Sequence, residues 1–351
     1  MKKKKSNLVN YIIIVVVLIA CVVYMLVTEG VDSMAYAFSR LNYLWIAVGL
    51  LMMLVYWTSE SMALYVYAKK IAPDVSFGAV FRVTMIGQLF NCITPFASGG
   101  QPMQAFYLSK SRMTVAQALT ALLSRFIVYQ GTLTILSALI IIFRYDYFSK
   151  TISGFLSLAL IGFIINSIVI VCLLLIGYCK SLVLAVLRWA VKLGSKIRWR
   201  KGHIVNDPDA TYRKASEGVE SFSENMKFVR KNLGMSLRSM FWSLVQLLAY
   251  FTLPFFIGLA FGDTANLDFF NMLCAQAFVL MISSFIPSPG AAGAAEVSFV
   301  LFFKSFMLEG TVPYAMLVWR LFVFYLPIVV GALFLRSTEA KDGPPPEEVR
   351  A

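Results

Sequence analysis

The stretch NCITPFASGGQPMQAF, residues 91–106, decides the fold of this chain. Two prolines and two adjacent glycines interrupt a segment that is otherwise apolar enough for a membrane helix, and amides and hydroxyls lie among them. Backbone N–H and C=O groups that stay unpaired in hydrocarbon cost several kcal/mol each. A helix broken here must therefore be buried in protein or line a polar cavity.

The composition places most of the chain in lipid. Of its 351 residues, 59% are hydrophobic and 14% are charged, whereas soluble domains carry about 25% charged residues. So much apolar surface needs the bilayer as its solvent. The sequence predicts an all-α integral membrane protein.

Six segments are candidate full spans, because each is long enough to cross the ~30 Å hydrocarbon layer. They cover residues 8–28, 43–68, 115–143, 152–178, 235–261 and 312–335. The first follows the basic start MKKKKSNLVN, and no small-residue cleavage site comes after it. It is therefore interpreted as a retained span rather than a signal peptide.

Two further apolar regions, residues 75–108 and 269–308, fit the charge distribution as re-entrant hairpins. Twelve basic residues against five acidic ones between residues 180 and 231 mark a cytoplasmic face, as do Lys2 to Lys5. If residues 75–108 crossed the membrane once, the basic segment would face outward. Two hairpins, one from each face, place the basic segment and both termini in the cytoplasm.

A short internal sequence repeat supports two related halves. LLSRFIVY at residues 122–129 and LVWRLFVF at residues 317–324 share leucine, arginine, valine and an aromatic at matching positions. Each follows a Pro/Gly-broken hairpin, and the two have opposite predicted orientations. The pattern indicates an inverted repeat, as in many transporters.

The predicted organisation is one polytopic membrane domain over residues 1–339, with a first half at 43–143 and a second half at 235–335. Residues 180–234 form a basic amphipathic cytoplasmic insert, in which 182–196 has the helical spacing of a membrane-surface helix. Residues 340–351 are predicted to be a disordered cytoplasmic tail. The net charge of +13 is explained by this sidedness, so no nucleic-acid partner is expected.

The two broken segments supply the groups that can line a cavity. The bends are assigned to Pro95, Gly99, Gly100, Pro102, Pro287, Pro289, Gly290 and Gly293. Uncharged hydrogen-bonding groups come from Asn91, Thr94, Ser98, Gln101, Gln104 and Ser288. Half-helix N-termini that point into such a cavity can bind anions. The alternative is two interfacial loops that merely reverse the chain.

Four charged residues in apolar surroundings are the strongest site candidates: Glu60, Arg125, Glu296 and Arg320. A charge at membrane depth costs at least ~2.5–3.5 kcal/mol, so it is usually paired or lines a pathway. We expect both arginines to face a central cavity, where they pair with the glutamates or bind a phosphate. The alternative is that each arginine extends to the nearer interface.

The chain offers little for metal or nucleophilic chemistry. His203 is the only histidine, and the five cysteines are scattered without metal-ligand spacing. No catalytic residue, metal or cofactor is predicted.

The motifs TPFASGGQPMQAFYLSK, LLSRF and IPSPGAAGAAE, followed by an arginine-bearing span, resemble the membrane region of the lysylphosphatidylglycerol synthetase (multiple peptide resistance factor) family. The resemblance covers residues 10–337. It implies a flippase-like protein of the bacterial plasma membrane that moves phosphatidylglycerol, unmodified or lysylated, between leaflets. It departs from the family where Gln101 and Gln104 replace an acid and an arginine, and where Ala291 replaces a glycine.

Two other functions stay open at this stage. One is phosphatidylglycerol lysyltransferase activity, which in the family belongs to a separate cytosolic domain. We expect none in this chain, since only a short tail follows the last span, and a separately encoded synthase would then be a partner. The other is transport of a different amphiphile, such as a polyprenyl-phosphate sugar. A homodimer is a further alternative for the assembly.

Overall fold

A computed structural model describes residues 39, 41–111, 113–151, 163–164, 167–168, 171–172, 174–196, 198–199, 202–203, 207–262, 267–284, 286–308 and 310–342. The predicted span 8–28 lies outside the described residues, as do most of the span 152–178 and residues 343–351 of the predicted tail 340–351.

The first half contains α1 (Tyr43–Ile71), α2 (Phe77–Ile93), α3 (Gly100–Ser109) and α4 (Val115–Thr151). A 3₁₀ turn at Pro95–Ala97, here called the first break, separates α2 from α3. The insert contains α5 (Lys180–Lys196), the short antiparallel strands β1 (Arg198–Trp199) and β2 (Gly202–His203), and α6 (Pro208–Lys231).

The second half contains α7 (Leu233–Phe251), α8 (Leu253–Ala260), α9 (Phe269–Ser283), α10 (Ala294–Phe303), α11 (Val312–Arg320) and α12 (Leu326–Asp342). A 3₁₀ turn at Pro289–Ala291, the second break, separates α9 from α10. A π-helical turn at Leu321–Tyr325 joins α11 to α12.

Among the described residues, four helical segments are long and apolar enough to span a bilayer: Tyr43–Ile71, Val115–Lys150, Leu233–Ala260 and Val312–Ser337. They correspond to four of the predicted spans. The hairpin helices Phe77–Ile93, Phe269–Ser283 and Pro289–Phe303 are shorter. The fold class, an all-α integral membrane protein, is confirmed.

The two hairpins begin in the same way. Ser76 caps α2 by accepting the N–H of Ala79 at 3.3 Å, and Asp268 caps α9 by accepting the N–H of Asn271 at 2.9 Å. A side-chain oxygen at this position satisfies one of the free N–H groups of a helix start. Each hairpin therefore begins with a capped first turn.

Helix α1 runs antiparallel to α7 and α8. At one end, the Asn42 N–H donates to the Ala260 carbonyl at 2.7 Å. At the other end, the Tyr67 hydroxyl donates to Ser236 at 3.2 Å. Because the first hairpin follows the end of α1 and the second follows the end of α8, the two hairpins enter from opposite ends of the helix pair.

Each hairpin also returns to the end at which it starts. Val80 at the start of α2 and Leu108 at the end of α3 belong to one buried cluster. Gly258 of α8 lies against both Leu267, before α9, and Met307, after α10. The tips of the hairpins, the first and second breaks, contact each other. This is the predicted arrangement of two re-entrant hairpins in an inverted repeat.

Aromatic packing holds the second hairpin in place. Phe278 of α9 stacks on Phe302 of α10 with ring centroids 5.7 Å apart, and Phe299 lies 5.0 Å from the ring of Trp319 in α11. All four side chains are buried. Such pairs add about 0.5–1.5 kcal/mol each beyond the area that they bury, so α10 is firmly attached to the helix that carries Arg320.

The insert packs α5 against α6, with an exposed ion pair of 2.8 Å between Lys180 and Glu220. Helix α5 leaves Leu182, Val186 and Trp189 exposed at helical spacing. This is the amphipathic pattern predicted for a membrane-surface helix. Its cytoplasmic placement stays a prediction.

Candidate functional site

The two breaks share one backbone conformation. Phe96 and Ala97 have φ angles of 54° and 51°, and Gly290 and Ala291 have φ angles of 59° and 54°. The left-handed region costs a non-glycine residue roughly 1–2 kcal/mol. Three of these four residues are not glycine, so the surrounding packing must hold the strained turns in place.

The two glycines that follow the first break, Gly99 and Gly100, act through close approach rather than through unusual dihedral angles. Gly99 has φ −81° and ψ −20°, and the Asn91 amide occupies the space that a Cβ on Gly100 would need. The Thr94 hydroxyl accepts the Gly99 N–H at 2.8 Å and donates to the Phe90 carbonyl at 2.6 Å. Thr94 thus closes the turn.

A cavity of about 640 Å³, here called the Glu60 chamber, lies between α1, α4, α7 and the first break. Its wall combines aromatic rings with amides and one buried ion pair. The polar and aromatic lining residues include Tyr56, Glu60, Gln88, Asn91, Gln101, Gln104, Arg125, Tyr129, Gln130 and Gln246.

A buried hydrogen-bonded cluster forms the floor of this chamber. The Arg125 guanidinium lies 3.1 Å from Glu60, whose side chain is 4% exposed. The other Glu60 oxygen accepts from the amides of Gln88 and Gln246. Gln246 in turn accepts from Arg125 at 3.4 Å. Paired and hydrogen-bonded in this way, both charges are tolerated away from water.

A second cavity of about 220 Å³, the Arg320 chamber, lies beside the second break. The Arg320 guanidinium donates to the Gly290 carbonyl at 2.8 Å and lies 2.7 Å from Glu296. Its cation also faces the rings of Trp319 and Phe324 at 5.3 and 5.6 Å. The arginine of the second half is therefore fixed by contacts on several sides.

The two chambers share a wall at the contact between the hairpin tips. Six described residues line both chambers: Tyr56, Gln88, Asn91, Phe96, Ala97 and Ser284. Phe96, at the tip of the first break, carries the largest apolar side chain of this wall. A change in the position of either tip would therefore alter both chambers together.

The structure distributes the predicted site residues over three positions. Glu60, Asn91, Ser98, Gln101, Pro102, Gln104 and Arg125 line the Glu60 chamber, and Asn91, Ser288, Gly290 and Arg320 line the Arg320 chamber. Glu296 contacts Arg320 from outside the lining. Pro95 and Pro289 belong to the breaks. Within three residues of the breaks lie Thr94, Gly99, Gly100, Pro287 and Gly293, and none of these seven residues is in either lining.

The structure adds residues that the sequence reasoning missed. Gln88 and Gln246 complete the Glu60 cluster, and Tyr56 and Tyr129 provide ring surface beside it. The available signal was an isolated amide inside an apolar helix, which is costly in lipid without a partner. Sequence alone does not say which partner such an amide finds.

In both ion pairs, an arginine of one helix meets a glutamate of another. The chain that carries them matches a known protein family. Residues 11–331 match the profile of the family described as "Lysylphosphatidylglycerol synthase TM region". The chain belongs to this family. A "UPF0104 membrane protein" of Archaeoglobus fulgidus is 24% identical over 303 residues, covering 84% of this chain and 86% of that protein.

The segment matched by the lysylphosphatidylglycerol synthase TM region family contains both breaks, both chambers and both ion pairs. The resemblance inferred from the loop motifs is therefore confirmed. With its spanning helices, the chain is a multi-pass membrane protein. Its location in a bacterial plasma membrane and the cytoplasmic position of its termini stay predictions.

Proposed function

We propose that this protein is a lipid translocase that moves phosphatidylglycerol-type phospholipid, with preference for the lysylated form, between the two leaflets of the membrane. The observation that carries the proposal is the duplicated arginine–carboxylate pair. Arg125 with Glu60 and Arg320 with Glu296 belong to opposite halves of the inverted repeat, and their chambers share the wall formed by the hairpin tips.

The charges of the Glu60 chamber suit a headgroup that bears both signs. A guanidinium binds phosphate oxygens through parallel hydrogen bonds, and a carboxylate binds an ammonium. If phosphate alone replaced Glu60 beside Arg125, the carboxylate would be buried without a cation, which is strongly unfavourable. A headgroup with a phosphate and a lysyl ammonium supplies a new partner to each member of the pair.

Comparison of the halves favours a position for the phosphate. In the second hairpin, Glu296 accepts the Gly293 N–H at 2.7 Å, so a carboxylate sits at the start of α10 beside Arg320. Seven residues after the break proline, the first hairpin has Pro102 instead. Its chamber is also lined by the buried Gln104 amide, for which the described residues offer no hydrogen bond. A ligand anion would bind at the start of α3, the position that matches the Glu296 carboxylate at the start of α10.

The hairpin arrangement supplies a route for alternating access. The hairpins enter from opposite ends and meet at their tips, so displacement of one tip opens a chamber toward one leaflet while the other tip stays closed. Transporters built from inverted repeats commonly exchange access in this way, with discontinuous helices at the binding site. The acyl chains would stay in the bilayer throughout, and only the headgroup would pass the polar chambers.

The proposal is tested with the full chain in liposomes that contain acyl-labelled fluorescent phosphatidylglycerol, lysyl-phosphatidylglycerol or phosphatidylcholine. Dithionite destroys the label in the outer leaflet, so continuing loss of the protected signal reports exchange between leaflets. We expect exchange with the lysylated lipid to be fastest and exchange with phosphatidylcholine to match protein-free liposomes. No acceleration for either glycerol lipid would overturn the proposal.

The same liposomes separate the two alternatives. Exchange of a labelled polyprenyl-phosphate sugar without exchange of the glycerol lipids would assign the chain to another amphiphile. Formation of lysyl-phosphatidylglycerol from charged tRNA by the purified chain would identify a lysyltransferase. Either result would replace the translocase proposal for phosphatidylglycerol.

A further inference from the structure

A third cavity lies away from the two chambers, in a groove between the end of α1 and the start of α7. Its volume is about 800 Å³, within the range of ligand sites. Apolar side chains of Met62, Val66 and Leu233 line it together with the rings of Tyr65 and Trp242. The groove is here called the basic groove because of the charges that complete it.

Four cations line the basic groove: Lys69, Lys70, Lys231 and Arg238. All four are exposed, and no acidic residue is among the lining residues that the structure describes. The ion pairs between described residues involve none of the four. The groove therefore concentrates positive charge that the protein itself does not neutralise.

The opposite end of the same helix pair shows that the fold does not require such a groove. There the start of α1 is joined to the end of α8 by the Asn42–Ala260 hydrogen bond, and Trp45 stacks on Phe256 at 5.9 Å. No lysine or arginine takes part in these two contacts. The positive charge of the basic groove therefore comes from the residues at that end of the helix pair.

We propose that the basic groove binds the headgroup of an anionic phospholipid of the surrounding bilayer, separately from the two chambers. The four cations hold the phosphate, and the apolar floor takes the adjoining part of the acyl chains. Tyr65 and Trp242 are residue types that favour the headgroup level of a membrane, which fits a lipid better than a free anion. The site does not depend on the transport proposal, because it shares no residue with either chamber.

Trp242 provides a local probe for the test. The full chain is reconstituted in phosphatidylcholine bilayers that contain a minority of phosphatidylglycerol, with bromine on the acyl chains of one lipid at a time. Bromine quenches nearby indole fluorescence, and subtraction of the Trp242→Phe variant isolates the Trp242 signal. We expect brominated phosphatidylglycerol to quench Trp242 far more than its mole fraction predicts.

Charge removal identifies the groove as the cause. In Lys69→Gln/Arg238→Gln, the preference for phosphatidylglycerol should fall about fivefold for each charge removed, since a cation near the membrane surface contributes about 1 kcal/mol. The matched control Arg213→Gln/Lys227→Gln removes two exposed cations of the insert outside the groove and should keep the preference. The charge-retaining variant Lys69→Arg/Arg238→Lys should keep it too, which excludes a folding defect.

Three results would overturn the proposal. Quenching by each brominated lipid in proportion to its mole fraction would mean ordinary contact with bulk lipid. An equal loss in the control variant would mean general surface attraction. Displacement of the brominated lipid by soluble glycerol phosphate or inorganic phosphate would mean a site for free anions.

Discussion

Arg320 Nη2 lies 2.7 Å from Glu296 Oε2, and the same carboxylate oxygen accepts the backbone N–H of Gly293. One partly buried carboxylate therefore closes the first turn of α10 and neutralises the arginine of α11. This contact couples the second hairpin to the helix that lines its chamber.

Breaking this pair from one side should cost more than removing it entirely. We expect Arg320→Gln or Glu296→Gln alone to lower the free energy of unfolding, by up to about 3–5 kcal/mol, because each leaves a charge that is at most 16% exposed without its partner. The double variant Arg320→Gln/Glu296→Gln should lose less than the sum of the two. Denaturant unfolding in mixed micelles measures all three, and additive losses would show that the pair is not energetically coupled.

Glu60 should set the preference for the lysylated lipid. A hydrogen bond to a charged group contributes about 1.5–3 kcal/mol, so we expect wild-type protein to exchange lysyl-phosphatidylglycerol about ten- to 150-fold faster than phosphatidylglycerol. Glu60→Gln should reduce this ratio toward one, while Glu220→Gln on the exposed face of α6 should not. The leaflet assay gives both ratios, and an unchanged preference in Glu60→Gln would remove Glu60 from headgroup recognition.

Gly290 should be intolerant of a side chain. Its φ of 59° disfavours alanine by roughly 1–2 kcal/mol, and a Cβ would also collide with the Phe324 ring. Gly290→Ala should therefore unfold at a lower temperature than wild type. Gly218→Ala is the control, because Gly218 lies in α6 with open space around it and alanine favours a helix interior. A wild-type melting temperature for Gly290→Ala would show that the second break relaxes freely.

Linking the two tips should stop exchange between leaflets. Ala97 and Ala291 end the first and second breaks, which contact each other. In a background without the native cysteines, Ala97→Cys/Ala291→Cys joined by a short reducible cross-linker should lose transport and regain it on reduction. Either single cysteine variant treated in the same way should stay active. Full activity of the linked protein would exclude relative movement of the tips from the mechanism.

The sequence predicted the hairpins because proline and glycine mark a broken helix, and because the distribution of basic residues indicates which loops share a side of the membrane. The broken stretch at residues 91–106 and the basic insert required that residues 75–108 return to the side of entrance, and the structure has this path. The four charged residues were visible for the same reason, since a charge in an apolar run must find a partner. Which glutamate meets which arginine required the tertiary structure.

Other features depend on packing that no local pattern encodes. Gln88 and Gln246 are single amides in apolar helices, and only the fold brings both to Glu60. The left-handed residues of the first break are Phe96 and Ala97, although Gly99 and Gly100 are better suited to that conformation. Gly99 and Gly100 instead leave room for neighbouring side chains, because a Cβ on Gly99 would meet Thr94 and a Cβ on Gly100 would meet Asn91.

The most direct test of the central claim compares two double variants in the leaflet-exchange assay with lysyl-phosphatidylglycerol. Each variant replaces both members of one ion pair by glutamine and so leaves the net charge unchanged. Glu60→Gln/Arg125→Gln removes the buried pair of the larger chamber without leaving an isolated charge, and Lys180→Gln/Glu220→Gln removes an exposed pair of the insert. We predict that the first variant folds but exchanges lipid no faster than protein-free liposomes, and that the second matches wild type. Wild-type exchange by Glu60→Gln/Arg125→Gln would contradict the claim that the buried pair binds the headgroup.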